Sequence, residues 1–183
     1  MGIIGEVGQK VKDGIIGTLK GVDEIYDALF STVRDNVVEA LKGAEDVTTT
    51  ATSSAADIIT GAIEGVADVG SVTGGAVRDI VRGTLQGVAD TGGDVSSLVT
   101  GTVSASVKGV SGAGGDVVDA AVQATQGAID AVKAVGGNVG TATKDAVTGA
   151  VKAVGEVSNE SIDAVKTALT KSIEGAEDVI KAI

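Results

Sequence analysis

From Val11 to Ala176 every eleventh residue is Val or Ala, with Thr143 the single exception. The run is Val11, Val22, Val33, Ala44, Ala55, Val66, Val77, Val88, Val99, Val110, Ala121, Val132, Thr143, Val154, Val165, Ala176. Eight residues further on lies a second apolar set, which includes Leu19, Phe30, Leu41, Ile63, Leu85, Val107, Val118, Ile129, Val151, Ile162 and Ile173. Two residues after the first set the chain is acidic at Asp13, Glu24, Asp35, Asp46, Asp57, Asp68, Asp79, Asp90, Asp145, Glu156 and Asp178. The phase holds throughout, so residues 1–183 read as a single continuous array with no domain boundary.

Eleven residues make three turns at about 3.67 residues per turn, close to the α-helical value. On such a helix the apolar sets fall side by side as one stripe, and Lys, Thr, Asp, Gly and Glu form the opposite face. A strand would alternate with a period of two, which this chain does not do. The expected fold class is therefore all-α with no sheet: a long amphipathic helix, or a few long helices, built from eleven-residue repeats. A longer period of 22 appears where VADTGGDV, VSGAGGDV and VKAVGGNV start at 88, 110 and 132. One straight helix of this length would extend about 275 Å.

Such a helix cannot stand alone. The chain holds 28 Gly, and each costs about 0.8–1 kcal/mol against Ala inside a helix. Burial of the stripe has to offset this, at roughly 1.5–3 kcal/mol for a fully buried Val or Leu. Helix formation is thus conditional on an apolar surface, and the identity of that surface is the functional question.

Two kinds of interruption are candidates. TTTATSS at 48–54 puts Thr48 and Thr52 in the stripe and reads as a hinge. The pairs Gly92–Gly93, Gly114–Gly115 and Gly136–Gly137 precede Asp94, Asp116 and Asn138. Gly followed by Asp or Asn fits a helix end and a new N-cap; alternatively, Gly thins the stripe without breaking it. The unbroken phase favours the second reading.

Along one edge of the stripe, small residues pair at a spacing of four: Gly17/Gly21, Gly61/Gly65, Gly83/Gly87, Ala105/Gly109, Gly127/Ala131, Gly149/Ala153. Such pairs let helix backbones approach closely. The edge reads either as the plain boundary of the stripe or as a lateral seam between neighbouring helices, and the 22-residue rhythm favours the seam.

Composition narrows the role. One Phe (Phe30), one Tyr (Tyr26) and no Trp leave little of the aromatic area on which ordinary cores rely. Apolar residues make up 43%, too many for a charged disordered tail. With 25 acidic and 14 basic residues the net charge is −11, which disfavours nucleic acid and strongly anionic membranes. No Cys is present, so disulfides and thiolate metal sites are excluded. No apolar run reaches the about 18 residues a membrane span needs. The start, MGIIGEV, has no basic region of a signal peptide, and Glu6 stands where a myristoylation signal wants Ser or Thr.

No catalytic, cofactor or metal site is expected. His is absent, and successive carboxylates of the acidic column lie about 16 Å apart on a helix, beyond the about 5–9.5 Å of a working acid–base pair. DTGGD at 90–94 lacks the spacing and terminal Glu of a calcium loop. No GK[ST] follows any glycine cluster, so no phosphate loop is formed.

VTGAVKAVG at 147–155, TKDAVTGAV at 143–151 and QATQGAIDAV at 123–132 resemble the eleven-residue repeats of perilipins, the coats of lipid droplets. They are also similar to synuclein repeats and to late-embryogenesis-abundant desiccation proteins. The resemblance implies a chain that is disordered when free and helical on lipid or on drying. The polar face departs from the synuclein type in being acidic where that type is Lys-rich, and it is less charged than desiccation repeats. The perilipin style, suited to neutral or loosely packed lipid, is the nearest.

The expected function is that of a non-enzymatic structural protein whose stripe (Val11, Val22, Val33, Val66, Val77, Val88, Val99, Val110, Val132, Val154, Val165, Leu19, Phe30, Leu41, Ile63, Leu85, Ile129, Ile162, Ile173) lies on a lipid surface. Helices would pack side by side through Gly17, Gly21, Gly61, Gly65, Gly83, Gly87, Gly109, Gly127 and Gly149. The alternatives are a self-assembling bundle or filament, and a desiccation protectant. The expected partners are lipid or further copies, as a homo-oligomer or polymer. The expected location is intracellular and peripheral to lipid, with no transmembrane segment.

Overall fold

A computed structural model describes residues 5–19, 25–70 and 72–183. Among these residues the fold is all-α, without strands. The helices are α1 (Glu6–Leu19), α2 (Ile25–Leu41), α3 (Val47–Val69), α4 (Gly74–Asp90), α5 (Val99–Gly112), α6 (Val117–Ala134), α7 (Val139–Val157), α8 (Ile162–Ser172) and α9 (Ala176–Ala182). Short 3-10 turns at Ser96–Leu98 and Asn159–Ser161 lead into α5 and α8. The expectation of one or a few long helices is corrected: the chain folds as several shorter ones.

The reading that the glycine pairs leave the helix unbroken is also overturned. Gly92, Gly114 and Gly136 have φ of 88°, 77° and 77°, the left-handed conformation that ends a helix. The second glycine of each pair is needed for space. A Cβ at Gly93, Gly115 or Gly137 would lie 2.5, 2.6 or 2.7 Å from the Cγ1 of Val88, Val110 or Val132. Each of these amides donates to the carbonyl of that same valine at 2.9 Å, closing the helix end. The following Asp or Asn then starts the next segment. Asp116 accepts from the Val118 and Asp119 amides, Asn138 from Thr141, and Asp94 from Ser96. Asp116→Ala leaves two amides at the start of α6 without that acceptor. It is expected to cost about 0.5–2 kcal/mol, read as a lower urea midpoint with an unchanged slope.

The proposed hinge at 48–54 lies inside α3. The Thr52 hydroxyl donates to the Thr48 carbonyl at 2.8 Å and Ser53 to that of Thr50 at 3.0 Å, so these polar side chains are satisfied within the helix. The Thr48 hydroxyl also accepts from the Asp94 amide at 2.9 Å, tying α3 to the turn before α5. The break falls just earlier, where Gly43 has φ 83° and Asp46 caps α3 through the Thr49 amide.

Successive helices fall in alternate rows: α1, α3, α5 and α7 in one, α2, α4, α6 and α8 in the other, with α9 beside α7. Most helices pack chiefly on the helix two places earlier and less on their chain neighbours, as in helical repeat proteins, while α5 packs on α6 as closely as on α3. Within a row the helices run parallel, because Gly61 and then Gly65 of α3 meet Gly8 and then Lys12 of α1. One core of Val, Ala, Ile and Leu runs between the rows. Its largest fully buried side chains include Ile15, Leu29, Ile58, Ile59, Ile80 and Leu85. The hydroxyls of Thr84, Ser106, Thr125 and Thr143 reach this core and donate to the carbonyl four residues back. Thr143, the exception in the valine column, is thereby accommodated. Among the described residues only the Thr102 hydroxyl is buried without a partner.

Candidate functional site

The stripe is inside the protein. Val11, Val33, Val66, Val77, Val88, Val99, Val110, Val132, Val154, Val165, Leu41, Ile63, Leu85 and Ile173 are 0–4% exposed. Phe30, Ile129 and Ile162 are half-buried. Val22 lies outside the described residues, as does the side chain of Leu19. The stripes of successive helices face each other, so a single chain supplies the apolar surface that each helix needs.

The small edge lies between helices of the same row. A Cβ at Gly61 would sit 2.0 Å from the Gly8 carbonyl oxygen, at Gly83 2.8 Å from that of Phe30, and at Gly127 2.7 Å from that of Arg78. At Gly149 it would sit 3.0 Å from the Thr100 oxygen. Gly65, Gly87 and Gly109 are pressed by the side chains of Ile15, Val37 and Ile63, at 3.0, 2.8 and 2.7 Å. Only a bare Cα fits where a backbone carbonyl comes this close. Gly17 has nothing within 4 Å, and Gly21 lies outside the described residues.

Ion pairs bridge the same rows. Lys12 of α1 meets Glu64 and Asp68 of α3, both at 3.4 Å. Arg34 of α2 reaches Asp90 of α4 at 3.8 Å. The Arg78 Nε of α4 donates to Asp130 of α6 at 2.9 Å, and Lys108 of α5 meets Glu156 of α7 at 2.7 Å. The Lys108 hydrogen bond and charge hold the Glu156 carboxyl below its ordinary pKa. For Lys12, partial burial pulls the pKa down but is outweighed by Glu64 and Asp68, and the net shift is upward. The arginines also frame the single phenylalanine: the Arg82 and Arg34 guanidinium carbons lie 4.7 and 5.7 Å from the centre of the Phe30 ring. These pairs are not apparent from one helix at a time. Two of them, Lys12/Glu64 and Arg78/Asp130, share a separation of 52 residues. It equals two units of 22 plus about two helical turns.

An open groove of about 690 Å³ lies between α6, α7 and the α8–α9 turn. Ile129, Val139, Ile173 and Val179 line it, with Asp130, Lys133 and Glu174 among its charged residues. A second groove, of about 430 Å³, is floored by Gly109, Gly112 and Ala67 and edged by Lys12, Glu64, Asp68 and Lys108. Among the described residues no three of His, Cys, Asp and Glu cluster closely enough to hold a metal ion. No described helix is long and apolar enough to cross a membrane.

Together these features define a two-row stack of amphipathic helices, closed by small-residue seams within each row. The chain matches no protein-family model and no curated protein sequence.

Proposed function

We propose that the chain is a non-enzymatic structural protein acting as a helical scaffold, in which the apolar stripe joins its own helices. The observation that carries this reading is the burial of the stripe, Val11 through Ile173, within one chain. A lipid coat laid down through the same stripe has to unstack first, breaking the close glycine contacts of each row. The acidic surface adds that an unstacked chain needs no anionic headgroup, because its net charge of −11 repels one.

Circular dichroism separates the scaffold from the coat. The purified protein in plain buffer is expected to be strongly helical and to melt cooperatively. A neutral-oil emulsion with zwitterionic lipid should add little helix below that melt. A coil spectrum in buffer that turns helical only with the emulsion would replace the scaffold with a lipid coat. Helix content rising with protein concentration, alongside sedimentation as large species, would replace it with a filament.

A further inference from the structure

We propose that α8 and α9, residues 162–183, form a cover that lifts from the stack as one unit while the earlier helices stay folded. This rests on the scaffold reading above, since it requires a folded stack without lipid. The earlier rows are held in three ways that the cover lacks.

The first is polar. α1–α3, α2–α4, α4–α6 and α5–α7 are each bridged by an ion pair. Among the described residues no ion pair or side-chain hydrogen bond joins 162–183 to α1–α7; its ion pair, Lys181–Glu177, is internal to α9. The second is close approach. The seam glycines of α3, α4, α5, α6 and α7 would each place a Cβ within 2.0–3.0 Å of the helix below, whereas the cover's nearest such contacts are to side chains alone, Gly155 to the tip of Ile162 at 3.3 Å and Gly175 to Thr143 at 3.8 Å. The third is length. α8 and α9 have 11 and 7 residues, against 18 and 19 in α6 and α7.

The cover therefore rests on a short apolar patch. Val165, Leu169, Ile173 and Ala176 are its buried apolar residues. Open grooves of about 690 and 370 Å³ flank α9, so its contact with the rest is incomplete on both sides. Local opening is drawn from regions with few buried contacts and few polar ties. Because those four residues share one patch and α8 packs on α9, losing it releases both helices together. Lifting uncovers Ile129 and Thr143 beside Val135 and Val139, which are already 41% and 38% exposed. The stack thereby gains an apolar face that the closed form hides.

Hydrogen exchange of the full chain in buffer tests this. Amides of 162–183 are expected to exchange together, at least about tenfold faster than those of α3–α7, with one shared urea dependence. Leu169→Ala should speed the cover by a further factor on the order of a hundred and leave α3–α5 protected as before. Equal protection of 162–183 and α6–α7 would overturn the proposal. So would graded exchange spreading back from Ile183, or a Leu169→Ala variant in which the whole chain loses protection. Absence of protection throughout the unaltered chain would instead sink the scaffold reading.

Discussion

Replacing Gly83 and Gly87 together with leucine is expected to destabilise the protein by about 2–4 kcal/mol, even though leucine is the better helix former. Each substitution gains somewhat under about 1 kcal/mol of helix propensity. Against this, a Cβ at Gly83 would lie 2.8 Å from the Phe30 carbonyl oxygen, and one at Gly87 2.8 Å from the Val37 Cβ and 3.0 Å from the Arg34 oxygen. Backbone atoms of α2 cannot rotate aside as a side-chain tip can, so α4 is forced off α2. Overpacking costs about 1–3 kcal/mol per site, and contact with backbone puts these sites toward the upper end. Gly17→Leu provides the control. It occupies the equivalent place in α1, is exposed and has nothing within 4 Å. That variant is expected to be neutral or stabilised by less than about 1 kcal/mol. Urea denaturation of the two variants should shift in opposite directions. Equal, positive shifts would mean that the small edge is only the boundary of the apolar face.

The core substitution Leu85→Ala is expected to cost about 2–5 kcal/mol. Leu85 is fully buried. In a core so rich in Val and Ala, few side chains are long enough to swing into the space it leaves, so the cavity persists. For a chain of this size each kcal/mol moves the melting temperature by about 2–4 °C, so a drop of roughly 4–20 °C is expected in calorimetry. A loss below 1 kcal/mol would show that α4 is not packed as described.

The apolar face of each helix was legible in the sequence because period and burial share one cause. A residue recurring every eleven positions returns to the same side of a helix, and a side facing its neighbours must be apolar. Val66, Val88 and Val110 illustrate this, each 1–2% exposed. The small edge was legible for a related reason: Gly at successive turns costs helix propensity, and at Gly61, Gly83, Gly127 and Gly149 that cost is offset by close approach of a neighbouring backbone.

What the sequence left open was settled by tertiary packing. The glycine pairs were misjudged because the phase continues across them, and a free loop has no reason to keep count. These turns are not free. Each helix must lie in register on the helix two places earlier, so helix and turn together keep a constant length, seen in the left-handed Gly92, Gly114 and Gly136 at intervals of 22. The hinge at 48–54 was misplaced because hydroxyls that weaken an isolated helix are satisfied here by carbonyls one turn back and by the Asp94 amide. The surface on which the stripe lies could not be read from any single repeat. An amphipathic face specifies that something apolar must cover it, and lipid, another copy and the chain's own next helix meet that demand equally well. Only the reversals of the chain between helices, such as those at Gly92–Gly93 and Gly114–Gly115 that bring Gly127 onto Arg78, decided that the stripe is covered by the chain itself.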